Sequence, residues 1–178
     1  HFEAARGGGI PCVSVLRNYM NIVNPVRRIE GILNRTSNFI LEKMVKHDIS
    51  LNEAVVLAAD AGYAEANADA DIDGLDAGHK ISILARLAFH DYPKKLNITG
   101  IRNIEDAKGV KLIASAEYID NNLMCSVRPM VDHSYGNISG IGNCIRYEGI
   151  YGTVELRGEG AGGNATATAI MGDIDTIT

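Results

Sequence analysis

Tryptophan is absent from this chain, and its 178 residues include only three phenylalanines, four prolines and three cysteines. Cys12, Cys125 and Cys144 are odd in number and far apart, which argues against a disulfide framework or a CxxC metal knuckle and fits a reducing compartment. No apolar run approaches the roughly 18 residues of a membrane span, and the first residues lack a signal peptide's basic and apolar regions. The expected location is therefore cytoplasmic, with no membrane partner. Cationic runs are missing too: 17 Lys and Arg against 22 Asp and Glu leave a net charge of −5, so nucleic acid is not an expected partner. His47, His79, His90 and His133 show no metal-ligand spacing.

What is present is ordinary globular material. Apolar residues make up 46% and charged residues 22%, enough for one domain with a real core. Pro11 sits at a helix start, followed by Val13, Leu16, Tyr19 and Met20. Val26 to Leu33 alternates like a strand, and Asn34 to His47 turns helical with Phe39, Ile40, Met44 and Val45 inward. Ser50 and Glu53 make a capping box for a helix carrying Leu51, Val55, Leu57 and Ala58, which Gly62 ends. A central helix is expected from about Asp71 to Phe89, with Pro93 preventing extension.

Beyond Leu96 the texture becomes strand-like, with Val110 to Ile119 and Leu123 to Val131 joined by a hairpin at Asn121-Asn122. Cys144 to Ile150 and Thr153 to Arg157 form a second pair. Helices followed by strands predict an α+β fold, the helices on one face of a mostly antiparallel mixed sheet and the other face free.

The most informative stretch is Tyr63 to Lys80, YAEANADADIDGLDAGHK. It carries Glu65, Asp69, Asp71, Asp73 and Asp76 before its only cation, Lys80. Carboxylates favour a helix start because the free N–H groups there leave partial positive charge. Asp76 and Lys80 are four residues apart and share a helix face, with Asp73 expected beside them. By itself this pattern also fits an acidic helix start with one surface ion pair, worth only about 0.3–0.5 kcal/mol.

The order Glu65, Asp71, Gly74, Asp76, Lys80 resembles the signature of homoserine dehydrogenases. The likeness continues elsewhere. FEAARGGGIP at the start resembles FEAxVxGGxPI, GILNRTSNFIL (residues 31–41) resembles GILNGTTNYIL, and GEGAGGNATA (residues 158–167) resembles GxGAGxxxTA. The resemblance implies Lys80 as the catalytic group handling the hydroxyl proton, and Glu65, Asp76, Asp71, Tyr63 and Thr36 as substrate contacts. It further implies Gly162 as the backbone contact to the nicotinamide end of NAD or NADP, and a sodium ion held by Glu3, Arg6, Gly8 and Ile10. In such enzymes two subunits meet across the free sheet face, so a homodimer is implied. Arg35 departs from the family, which has glycine there. A long cation at a place of close ligand approach costs binding unless it reaches the substrate carboxylate itself.

Gly158-x-Gly160-x-x-Gly163 formally satisfies the dinucleotide fingerprint, but only 15 residues follow, too few for the βαβ unit and acidic residue the fingerprint needs. Residues 1–157 read as the catalytic and dimerisation domain. Residues 158–178 read as a glycine turn and a helix returning towards a nucleotide-binding half. No counterpart of that half occurs in the sequence, and the start within a motif at His1 is what a fragment of a longer enzyme would show. The chain by itself is therefore expected to be inactive. The remaining alternatives are a dimeric amino-acid-binding or scaffold module without redox chemistry, and a related dehydrogenase with a different small substrate.

Overall fold

The computed structural model describes Glu3 and residues 8–64, 67–135, 137–160 and 163–175. Pro11 is the residue preceding the first helix rather than its first member. The helical run that follows consists of α1 (Cys12–Val15), a π-helical turn (Leu16–Met20) and α2 (Asn21–Val23). Then come β1 (Val26–Ile32), α3 (Arg35–His47), α4 (Leu51–Asp60), α5 (Asp69–Ile72) and α6 (Leu75–Phe89). The C-terminal part contains β2 (Lys95–Ile98), β3 (Val110–Ile119), β4 (Asn122–Val131), β5 (Gly142–Gly149), β6 (Thr153–Glu159) and α7 (Gly163–Asp175).

Six strands form one sheet in the order β2-β4-β3-β1-β5-β6. Every neighbouring pair is antiparallel except β2 with β4. The expected α+β architecture is thus the one observed, with β2 as an additional edge strand. The β3–β4 turn lies one residue earlier than Asn121-Asn122: Asp120 and Asn121 both take positive φ (49° and 61°), and Asn122 already pairs with Ile119. A two-residue turn with both central residues left-handed matches the twist of the strands it joins.

One sheet face is covered by helices. Ile29 of β1, Leu112, Ala114 and Ala116 of β3, Leu123, Cys125 and Val127 of β4, and Ile145 and Tyr147 of β5 meet Phe39, Ile40, Leu41 and Met44 of α3 and Ile81, Leu84 and Ala85 of α6 in one core. Fully burying a side chain such as Ile40 or Leu84 contributes about 1.5–3 kcal/mol. Val45 and Leu57 do not join this core; they are 49% and 39% exposed. The capping box is present, with the Ser50 hydroxyl accepting from the Glu53 N–H and the Glu53 carboxylate accepting from the Ser50 N–H.

The opposite face carries Glu30, 8% exposed, paired with Arg28 and accepting 3.0 Å from the Tyr135 hydroxyl. Ser115 and Ser126 share a 2.9 Å hydrogen bond there, and Arg146 pairs with Glu155 at 2.7 Å. A small second core of Ile32, Ile113, Tyr135, Ile138 and Cys144 covers part of this face.

Two glycines set the geometry that matters for the site. A Cβ on Gly31 would strike the Cys144 carbonyl, so only glycine lets β1 and β5 approach as they do. Gly74 has φ +80° and separates α5 from α6, so the single helix expected from Asp71 to Phe89 is broken there. The apolar rhythm continues across the break, because Ile72 on one side and Ala77 and Ile81 on the other all enter the core. Gly74→Ala is expected to cost about 1–2 kcal/mol for the left-handed conformation. Further crowding comes from a Cβ placed 3.1 Å from Val127 and 3.2 Å from Ile98. A thermal melt checks this, and an unchanged midpoint would contradict it.

Candidate active site

The end of β1 leads directly into a polar cavity. After Ile32 the chain presents the Leu33 carbonyl, then Asn34, whose side-chain oxygen caps α3 by accepting from the Ser37 N–H at 2.7 Å. The Asn34 amide nitrogen reaches across to the acidic stretch, donating to Asp71 Oδ1 at 2.5 Å and Asp76 Oδ2 at 2.8 Å. Lys80 Nζ donates to Asp76 Oδ2 at 2.7 Å and to the Leu33 carbonyl at 3.1 Å. An ammonium has three donors, so one N–H of Lys80 remains without a partner among the described residues. The Lys80 side chain is 19% exposed and that of Asp76 35%, so the pair borders the cavity while staying open to a ligand.

Asn34, Arg35, Thr36, Tyr63, Asp71, Asp76, Lys80 and Gly160 line this cavity of about 470 Å³, together with Gly62, Ala64, Asn67 and Ala70. Thr36 is buried, and its hydroxyl donates to the Tyr63 carbonyl at 2.7 Å, fixing the start of α3 against the segment after α4. The Tyr63 ring packs edge-on against Phe39 at 5.0 Å, and the Arg35 guanidinium lies 5.0 Å from its centroid. Burial pushes the Asp71 carboxyl above its usual value, and Asp76 nearby adds to that; hydrogen bonding from Asn34 and the charge of Lys80 oppose it.

The structure therefore brings together Thr36, Tyr63, Asp71, Asp76 and Lys80, and it removes Asp73 from the group. Asp73 pairs with Arg102 Nε at 2.7 Å, and Asp69 with Arg102 Nη2 at 2.6 Å. Residues 69 and 73 project to one side of the short α5 while 71 projects to the other, so the acid cluster divides between an exposed ion-pair network and the cavity. Glu65, Arg6 and Gly162 lie outside the described residues. Arg35 does not need a left-handed backbone, since it is the first residue of α3.

Glu3 has a defined structural role. Its carboxylate accepts from the Val13 N–H (2.6 Å), the Ser14 N–H (2.7 Å) and the Ser14 hydroxyl (2.6 Å), satisfying the start of α1. Gly8 has φ +61°, and the buried Ile10 uses its carbonyl to accept from the Cys12 N–H at 2.7 Å. No group of three or more His, Cys, Asp or Glu among the described residues could hold a metal. The three cysteines are buried, and burial raises their thiols to about 12 for Cys12 and about 11 for Cys125 and Cys144, which leaves them unreactive near neutral pH.

Three contributors to the site carry little or no signal of their role in the sequence. Asn34 was legible only as a residue preceding a helical rhythm, and nothing local tells that its amide bridges two carboxylates 37 and 42 residues away. The Leu33 carbonyl carries no sequence signal at all. Gly160 belongs to the glycine turn, but its neighbour Gly162 was the one the resemblance favoured. A Cβ on Gly160 would collide with the Asn143 side chain, so this wall of the cavity is bare backbone.

No helix among the described residues is long and apolar enough to cross a membrane. The sequence matches the homoserine dehydrogenase family over residues 11–174. It is 36% identical over 197 residues to the homoserine dehydrogenase of Synechocystis, covering 98% of this chain and 45% of the relative. It is also 36% identical over 191 residues to that of Helicobacter pylori, covering 99% and 45%. The chain thus spans about half the length of the curated relatives it matches.

Among solved structures, the homoserine dehydrogenase of Thiobacillus denitrificans superposes with a TM-score of 0.88 at 32% identity, over 97% of this chain and 43% of that one. A hyperthermophilic archaeal homoserine dehydrogenase in complex with NADPH superposes with a TM-score of 0.87 at 31% identity, over 97% and 53%. Sequence and fold agree over nearly all of the described residues: the chain belongs to the homoserine dehydrogenase family.

Proposed function

We propose that this chain is the substrate-binding and catalytic part of an NAD(P)-dependent homoserine dehydrogenase, interconverting L-homoserine and L-aspartate 4-semialdehyde in the synthesis of threonine, methionine and isoleucine. The observation that carries the reading is the Asp76–Lys80 pair at 2.7 Å, with one lysine N–H left over, at the edge of a cavity that also holds Asp71. Homoserine has an ammonium, a carboxylate and a primary alcohol. Asp71 and Asp76 accept from the ammonium, with Glu65 assigned beside them on the resemblance alone, and Tyr63 and Thr36 border the same space. Lys80 faces the substrate oxygen: as the free amine it takes the alcohol proton in the oxidative direction, and as the ammonium it polarises the aldehyde oxygen and supplies the proton in the reductive direction.

The nicotinamide cofactor, NADP or NAD, supplies hydride chemistry when bound. Gly160, which lines the same cavity as Lys80, would present its backbone to that group. Gly162 is assigned as a cofactor contact on the resemblance alone. Residues 158–178 are proposed to return towards a nucleotide-binding unit, in keeping with α7, which exposes Ile170, Met171 and Ile174. Three of the roughly four acceptor sites of the Glu3 carboxylate are engaged, so a sodium ion there would use what remains together with carbonyls of Arg6, Gly8 and Ile10. A homodimer is proposed to form across the sheet face bearing Ser115, Ser126 and Arg146, in a cytoplasmic enzyme.

The test is an assay of this chain joined to a dinucleotide-binding unit, following homoserine-dependent reduction of NADP or NAD. Homoserine-dependent turnover absent with serine and with simple primary alcohols is the expected result, and turnover indifferent to the amino acid would overturn it. The Asp71 environment adds a pH signature. Protonated Asp71 cannot accept from an ammonium as a carboxylate does, so homoserine affinity should fall on acidification, with a midpoint above the ordinary aspartate value of 3.8. Asp71→Asn should abolish that acidic limb. Because burial raises its folded-state value, Asp71 weighs against stability once the pH rises through that value, so the same variant should melt higher at neutral pH.

A further inference from the structure

We propose that Arg35 is a specificity-determining residue, holding the α-carboxylate of the amino acid whose ammonium Asp71 and Asp76 bind. This rests on the reading of the cavity as an amino-acid site and extends it to a residue where the chain departs from its family's glycine. Among the described residues, four charged side chains line the cavity: Arg35, Asp71, Asp76 and Lys80. Asp76 and Lys80 neutralise each other at 2.7 Å. Among the described residues that leaves one acid, Asp71, and one base, Arg35, facing the same space, an arrangement complementary to a zwitterion.

Arg35 is suited to this in three ways. Its guanidinium has no carboxylate partner among the described residues; its contact is the Tyr63 ring, 5.0 Å away. That ring is itself held edge-on by Phe39 at 5.0 Å. A guanidinium held over an aromatic ring loses less freedom when a carboxylate docks two-pronged on its planar fork of donors. Third, Arg35 is the first residue of the 13-residue α3, where the free end of the helix adds positive potential for an anion. The same contact lays a long side chain over Tyr63, which reconciles an arginine at this position with room for a ligand.

The test is calorimetric titration of the chain with L-homoserine, L-homoserine amide and 3-amino-1-propanol. All three share the amine and the alcohol, and only the first has a carboxylate. The wild type should prefer homoserine over the other two by roughly ten- to a hundred-fold, the range of one charge-assisted interaction. Arg35→Met, which keeps an apolar stem on Tyr63, should bind homoserine no better than the wild type binds the amide, and Arg35→Lys should keep part of the preference. If wild type and Arg35→Met discriminate equally, the inference fails while the amino-acid site stands. If none of the three compounds binds the wild type, both fail. Circular dichroism of each variant establishes that it is folded, and Arg35→Lys supplies the comparison should Arg35→Met prove unfolded.

Discussion

Lys80→Ala, in a form of the protein competent to bind dinucleotide, is expected to reduce turnover by about 10²–10⁴-fold, the range for losing a positioned proton donor or acceptor. The effect should fall on kcat, with dinucleotide affinity unchanged, because Lys80 sits among substrate-side groups: Nζ contacts Asp76 and the Leu33 carbonyl. Lys80→Arg separates charge from proton transfer. A guanidinium keeps a positive charge near Asp76 but does not give up its proton in the accessible pH range. Homoserine binding should therefore be largely retained while turnover stays low. Equal turnover for wild type and Lys80→Ala would remove Lys80 from the chemistry.

The second large effect is expected at Asn34, because one amide serves two purposes. Its oxygen caps α3 by accepting from Ser37, and its nitrogen donates to Asp71 and Asp76. Asn34→Asp keeps the cap, since aspartate is as good an N-cap as asparagine, but replaces a shared donor with a third carboxylate. Two hydrogen bonds to charged groups are lost at about 1.5–3 kcal/mol each, and like charges are placed side by side. The expected loss is about 3–6 kcal/mol of stability at neutral pH, together with weakened homoserine binding.

The sign of its pH dependence is fixed by that crowding. Neighbouring carboxylates raise one another's pKa, so the deficit should shrink as the pH falls and protons relieve the repulsion. Asn34→Ala should lose the cap, about 1 kcal/mol, and the same two hydrogen bonds, but with no third carboxylate its deficit should change less with pH than that of Asn34→Asp. A thermal melt of Asn34→Asp that overlays the wild type from acid to neutral pH would show that the amide bridge is not holding the site.

Much of this arrangement was legible where local physics decides. The Ser50 and Glu53 box, the Gly62 stop and the Asp76 to Lys80 spacing each depend on neighbours within four residues, and each appears as expected. The failures share a cause as well. β2 escaped notice because Lys95, Leu96 and Asn97 are exposed, and the strand exists through backbone pairing with β4, which no side-chain alternation announces. The break at Gly74 was hidden because the apolar residues on either side enter one core, so periodicity alone could not separate two helices from one. Asp73 was misplaced for the same reason: breaking the helix turned it to Arg102.

Asn34 and the Leu33 carbonyl reach the site through tertiary structure, at the end of a strand whose position depends on β3 and β5. Arg35 was conspicuous by its departure from the family glycine, but the direction of its side chain depends on the Tyr63 ring, which a different segment delivers.

Whether Asp71, Asp76 and Lys80 converge on one amino alcohol is decided by a crystal structure with L-homoserine bound. The expected complex has the ligand's ammonium against Asp71 and Asp76 and its hydroxyl oxygen within about 3 Å of Lys80 Nζ, the reach of proton transfer. Homoserine seated away from this cavity, or with its hydroxyl pointing away from Lys80, would contradict it.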